Sequence, residues 1–137
     1  MKKLTPHPVD WAQIERFLAS AEKKLASAGK ILAFDEEAAL QQAYEAMLKA
    51  SLGLMFSYGL RARSLPGHHI VIIEFIEKHL DKKHSGLISV FDRLRRKRNQ
   101  ALYDDSGFVS RRDAEEAIKT AGEFLVIARA DIATRKP

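Results

Sequence analysis

The stretch DEEAALQQAYEAMLKASLGLMFSY, residues 35–58, decides the fold because it carries two apolar seams at helical spacing. One seam is bulky and consists of Leu40, Tyr44, Met47, Ser51, Leu54 and Tyr58. The seam beside it is built from small residues, namely Ala39, Ala43, Ala46, Ala50, Gly53 and Ser57. A helix with apolar residues on two sides is buried on two sides. The pattern therefore predicts a long central helix, capped by Asp35 and running to about residue 62.

Four further helices are predicted around this central one. Asp10 and Gln13 have the spacing of a capping box and begin a first helix that Gly29 suits as an end. The third helix spans roughly residues 68–80, where a β-branched run also permits a strand but the charged positions favour a helix. A fourth helix follows from Ser85, and Ser110 with Asp113 opens the last one. We expect one domain over residues 1–137, with its core at about 9–132: an all-α, antiparallel bundle of four to five helices, because the connections are short.

Composition excludes several classes of protein. The chain of 137 residues is long enough for a packed core, and it holds no cysteine, which excludes disulfides and thiolate metal sites. Neither a signal peptide nor an apolar run of membrane-spanning length is evident, so we expect a cytoplasmic protein without a membrane partner. The histidines lack carboxylates at ligand spacing, and we expect no metal and no cofactor. The net charge of +5 favours polyanionic partners.

The positive charge is concentrated in the segment RLRRKR, residues 93–98, where five of six residues are cations. Arg95, Arg96, Lys97 and Arg98 are therefore candidates for nucleic-acid binding, although such a run is also typical of a solvated helix face. Arg98 differs from the others because it lies within the apolar stripe of the fourth helix, four residues after Leu94. A guanidinium on a buried face is costly unless it is paired, hydrogen-bonded or lines a cleft.

Arg98, Asn99 and Tyr103 are the candidate catalytic residues. An arginine can hold a phosphate and stabilise the charge that develops during phosphodiester cleavage, and an asparagine can position a ribose hydroxyl. Tyr103 follows within reach, although its ordinary pKa suits proton donation better than abstraction. The alternative is a structural ion pair between Arg98 and Asp104 or Asp105. His69, after the turn at residues 63–67, is expected to border the same cleft. The aromatic residues of the second helix, Tyr44 among them, are interpreted as core, with base stacking as the alternative.

The Arg98-Asn99 pair near the end of the fourth helix of a small helical bundle resembles the HEPN superfamily, the higher-eukaryote and prokaryote nucleotide-binding domains. The segment AYEAMLKA (43–50), the exit Gly59-Leu60-Arg61 and the Gly67-His68-His69 entry support the resemblance. It implies homodimers with a shared cleft and, in many members, metal-independent ribonuclease activity in toxin–antitoxin or phage-defence systems. The family motif places a histidine four to six residues after its arginine. Here that spacing reaches Tyr103, so whether the chain is an enzyme stays open.

The sequence is compatible with three candidate functions, of which the first two belong to different classes of protein. The first is an RNA-directed module, binding RNA with weak or lost ribonuclease activity at a homodimer cleft around Arg98 and Asn99. The second is a non-catalytic partner of a small nucleotidyltransferase or another acidic protein, with the basic helix as the docking surface. The third is nucleotide binding, which the absence of a glycine-rich phosphate loop disfavours.

Overall fold

The computed structural model of the chain describes residues 3–63, 68–103 and 108–137, and most of them are helical. The helices are α1 (Trp11–Ile31), α2 (Glu36–Ser57), α3 (His68–His79), α4 (Ser85–Tyr103) and α5 (Arg111–Ala133), with two short strands, β1 (Leu4–Pro6) and β2 (Leu60–Ala62). The predicted all-α bundle is confirmed. None of the described helices has the length and apolarity needed to cross a lipid bilayer.

Helix α2 is the central helix that its two seams predict. Every residue of the bulky and the small seam is buried except Tyr58, which is partly buried at the end of the helix. The helix contacts each of the other four helices. On its small seam, a Cβ added to Gly53 would lie 3.5 Å from Cδ2 of Leu18, so α1 packs directly against the backbone of α2. The central helix provides a rigid support for any side chain that projects from it.

The helices α2 and α3 run in the same direction, whereas the other consecutive helices run antiparallel as predicted. The ring of Tyr44 contacts His69 at the start of α3, and the ring of Tyr58 contacts His79 at its end. The start of α3 therefore lies beside Tyr44 and not beside the end of α2.

The end of α2 corrects the prediction of a helix continuing to residue 62. Gly59 adopts a left-handed conformation with φ of 73°, which glycine tolerates and which ends the helix. Residues 60–62 then form β2, which pairs antiparallel with β1, Leu4 opposite Ala62. The predicted turn at residues 63–67 lies outside the described residues after Arg63.

Four predicted helix ends are decided by local hydrogen bonds. The Ser110–Asp113 capping box of α5 is confirmed in both directions. Ser85 is the first residue of α4 rather than its cap, because a short 3-10 turn capped by Asp81 precedes it. Gly29 lies inside α1, which continues to Ile31, and Asp10 caps α1 through the backbone N–H groups of residues 12 and 13.

Candidate functional site

Four of the five cations in the basic segment are engaged by carboxylates. The pairs are Arg93 with Glu116, Arg95 with Asp92, Arg96 with Asp92, and Lys97 with Asp113. The Arg95–Asp92 pair is the least exposed of them on its cationic side, with 18% of the arginine side chain accessible, and its N–O distance is 3.1 Å. Most of these cations therefore form ion pairs within α4 or between α4 and α5. Arg93 and Arg96 are more than half exposed, as on a solvated helix face, whereas Arg95 and Lys97 are largely covered.

Arg98 is the exception. It is partly buried, and no ion pair or hydrogen bond joins it to another residue in the described ranges 3–63, 68–103 and 108–137. Its guanidinium lies over the ring of Tyr44, with Cζ 5.4 Å from the ring centroid. Such a cation–π contact stabilises the charge without using the N–H donors in the way a carboxylate would. The alternative pairing of Arg98 with Asp104 or Asp105 falls on residues outside the described part of the chain.

Tyr44 is fully buried and lies at the centre of the arrangement. Its ring packs edge-on against Phe91 at a centroid distance of 5.5 Å, and its hydroxyl oxygen is 3.2 Å from Nδ1 of His69. Burial raises the pKa of Tyr44 to about 12, while the positive charges of Arg98 and Arg95 act in the opposite direction. The hydroxyl therefore stays neutral at physiological pH and serves as a fixed hydrogen-bonding group.

His69 is brought to this cluster by the parallel run of α3. Its ring centroid is 5.9 Å from that of Tyr44, on which Arg98 also lies. A phenolic hydroxyl can donate to a neutral imidazole nitrogen or accept from a protonated one. The Tyr44 hydroxyl can therefore orient the His69 ring in both protonation states. An imidazole and a guanidinium that both contact one tyrosine combine a proton-transfer group with an anion-binding group.

Tyr103 and Asn99 are placed differently from Arg98. Tyr103 is the last residue of α4 and is 85% exposed, and no contact to Arg98 is found for it in the part of the chain that the structure describes. Asn99 is partly buried, one residue beyond Arg98. Leu102, predicted within the apolar stripe, is 43% exposed because the last turn of α4 extends beyond the core. The structure thus brings Arg98 together with Tyr44 and His69, not with Tyr103.

Sequence reasoning assigned Tyr44 to the core and missed its polar role. A signal was present, because a tyrosine in the middle of a buried seam needs a partner for its hydroxyl. The partner, His69, lies 25 residues further along the chain, on a helix that runs parallel to α2. His69 was expected at the cleft, and it lies beside Tyr44.

A cleft of about 450 Å³ opens between α3 and α4, next to this cluster. One wall comes from α4 and carries Asp92, Arg95 and Arg96, and the other comes from α3 and carries Glu74 and Glu77. Isoleucine side chains from both helices line it as well. Within the described residues, no three histidine, aspartate or glutamate side chains gather as a metal site would require.

Tyrosine 44 makes a testable contribution to stability at alkaline pH. The pKa of Tyr44 is about 12 in the folded protein and near 10 in the unfolded chain. Between pH 10 and pH 12 the folded state therefore retains a phenolic proton that the unfolded state has lost. The stabilisation is complete below pH 10 and is lost as the pH rises through about 12. Denaturant unfolding of wild type and Tyr44→Phe at pH 9 and pH 12 should show wild type losing about 2 to 3 kcal/mol more.

The matched control is Tyr103→Phe, which also removes a phenolic hydroxyl, but from a side chain that is 85% exposed. Its alkaline stability loss should equal that of wild type. Equal losses for wild type and Tyr44→Phe would contradict a buried, neutral Tyr44.

Comparison with protein families gives one match that covers most of the chain. A family model described as the HEPN domain matches residues 13–130, which include all five helices apart from a few terminal residues. A comparison with curated proteins found no match. The matched range contains Tyr44, His69 and Arg98, so the cluster lies inside the region that defines the family.

Proposed function

The chain belongs to the HEPN domain family, and on that basis we propose that it is an RNA-directed module whose site is formed by Arg98, Tyr44 and His69. The observation that carries the proposal is the placement of Arg98, a partly buried guanidinium stacked on a tyrosine and without an ion pair among the described residues. A partly buried cation of this kind is stabilised further when it binds an anion. The phosphate of an RNA backbone is the anion that the family suggests.

The same cluster supports metal-independent cleavage of the RNA. In the reaction that we propose, His69 takes the proton of a ribose 2′-hydroxyl and the 2′-oxygen attacks the adjacent phosphorus. The bond from phosphorus to the 5′-oxygen then breaks, which leaves a 2′,3′-cyclic phosphate. Water protonates the departing 5′-oxygen, and the hydroxide that remains takes back the proton held by His69. Arg98 stabilises the negative charge on the phosphate oxygens during this exchange. Proton transfer is assigned to His69 instead of Tyr103 because an imidazole titrates near neutral pH.

We further propose that the module acts as a homodimer, of the kind found in toxin–antitoxin or phage-defence systems. The exposed side chains of Leu102 and Tyr103 lie on the turn of α4 that follows Arg98. Apolar side chains beside a site are typical of a subunit interface. A two-fold interface there would bring two copies of Arg98 to one groove.

The alternative function is docking on an acidic protein such as a nucleotidyltransferase. Its support is that Arg93 and Arg96 are more than half exposed although paired, as expected for residues at the rim of a protein interface. In that case Arg98 would contribute to folding and not to RNA affinity.

RNA binding by Arg98→Ala tests the proposal directly. We expect its affinity for a single-stranded RNA to fall by about ten- to a hundredfold, since a hydrogen-bonded charge contributes about 1.5–3 kcal/mol. The slope of log affinity against log salt concentration should become smaller by about 1, which corresponds to the loss of one phosphate contact. The measurement is fluorescence anisotropy in EDTA at several salt concentrations.

The control is Arg16→Ala on α1, which removes the same charge from an exposed residue remote from the cluster. Equal affinities for Arg98→Ala and Arg16→Ala would remove the RNA site from Arg98. That result would favour the protein-partner alternative.

A further inference from the structure

We propose that the cleft between α3 and α4 holds one unstacked guanine base of the bound RNA. This inference rests on the proposed function and names the base that the site prefers. The cleft has a volume of about 450 Å³ and lies beside the Arg98 cluster, because it is lined by Arg95, three residues before Arg98 on α4, and by Ile70, one residue after His69 on α3. A phosphate at Arg98 and a base in the cleft can therefore belong to neighbouring positions of one strand.

The two walls of the cleft carry opposite charge. Arg95 and Arg96 project from α4, whereas Glu74 and Glu77 project from α3. With Asp92 included, the cleft has one more carboxylate than it has guanidinium groups, so it is a poor site for a phosphate. It suits a neutral group that has acceptors on one edge and donors on another.

Guanine has that distribution of hydrogen-bonding groups. Its O6 and N7 atoms are adjacent acceptors, to which an arginine binds in a bidentate manner. Its N1–H and 2-amino groups are adjacent donors, which a carboxylate accepts through both oxygens. Adenine, cytosine and uracil each interrupt the donor edge with an acceptor. The side chain of Ile70, which lines the cleft and is 45% exposed, provides apolar surface for the face of the ring.

One polar group of the cleft, the Arg95 guanidinium, is oriented in advance for such a base. Nε of Arg95 donates to Oδ1 of Asp92 at 3.1 Å, which fixes the guanidinium while its two terminal nitrogens are not used in that bond. Glu77 has no ion pair within residues 3–63, 68–103 and 108–137, whereas Glu74 pairs with Lys3 at 3.6 Å. Glu77 is therefore the carboxylate to which we assign the N1–H and 2-amino groups.

The test compares RNA pentamers that differ in one base. Each carries a central 2′-deoxynucleotide, which prevents cleavage there, in a uridine background, and the central base is guanine, hypoxanthine or 7-deazaguanine. Hypoxanthine lacks the 2-amino group and 7-deazaguanine lacks N7. We expect both replacements to weaken binding to the full chain by roughly 5- to 100-fold, as for the loss of a bidentate base contact.

The Glu77→Gln variant assigns the preference to the cleft. It should bind the guanine and hypoxanthine strands with nearly equal affinity, while Glu123→Gln, an exposed position on α5, should retain the wild-type ratio. A guanine preference that survives in Glu77→Gln would overturn the inference. Equal binding of all three strands by wild type would also overturn the inference. If the affinity in that case still depended on Arg98, the proposed function would stand. Binding that is absent, or independent of Arg98, would overturn both.

Discussion

Replacing Phe91 by alanine is expected to lower the free energy of unfolding by about 3–5 kcal/mol. Phe91 is fully buried, and its ring packs against Tyr44 at 5.5 Å and against Phe124 at 5.7 Å. It thereby joins α4 to α2 and α5. Removal of the ring leaves a cavity that these helices cannot close without moving Tyr44. A loss of this size is a large share of the 5–15 kcal/mol that stabilises a typical domain.

Urea unfolding followed by circular dichroism measures this loss. Phe34→Ala is the matched control, since it removes the same ring from a position that is 88% exposed in the connection between α1 and α2. Its free energy of unfolding should change by less than about 0.5 kcal/mol. Similar losses in the two variants would show that Phe91 does not occupy the core contact described above.

Replacing His69 by glutamine is expected to reduce RNA cleavage in EDTA by about 10²- to 10⁴-fold, the usual contribution of a general acid or base. Glutamine keeps an acceptor that can reach the Tyr44 hydroxyl, so the buried hydrogen bond is not simply deleted. RNA affinity should change little, because Arg98 and not His69 holds the phosphate. The measurement is single-turnover cleavage of a labelled RNA, with affinity measured separately by anisotropy.

Tyr103→Phe separates the two candidates for proton transfer. It removes a hydroxyl that is exposed to solvent, and cleavage should stay at the wild-type rate. Added imidazole should restore part of the activity of a smaller variant, His69→Gly. Loss of cleavage in Tyr103→Phe with retention in His69→Gln would assign the proton transfer to Tyr103. Binding without cleavage in wild type would make the protein an RNA-binding module.

The helices were predictable because local signals specify them. The seams of α2 and the capping box at Ser110 act over one or two turns, and both are confirmed. The end of α2 was not predicted, since Gly59 permits a helix as well as the left-handed turn that it adopts. The choice depends on β1, which pairs with the chain beyond it and lies more than 50 residues earlier.

The candidate site could be predicted only in part, because local signals in the sequence do not specify which helices meet. Arg98 stands out in the sequence because a cation interrupts an apolar stripe, which is a local pattern. Its neighbours Tyr44 and His69 come from two other helices, and the direction of α3 determines that they meet. The residue pattern within a single helix does not predict in which direction α3 runs relative to α2. The role of Tyr103 stays a prediction from motif spacing, and the structure places its side chain in solvent.

The segment around Arg135 lies at the end of α2 that is away from Tyr44. The backbone carbonyl of Lys3 accepts from the N–H of Arg63 next to β2, and the guanidinium of Arg135 donates to Ser57 at the end of α2. Ser57 is 13 residues beyond Tyr44 on α2, about 20 Å along the helix axis. A fluorophore or a surface linker placed beside Arg135 will therefore lie far from Tyr44, whereas one placed beside Lys3 will lie near Glu74 of the cleft. Protein that is immobilised near Arg135 is suitable for the RNA measurements described above.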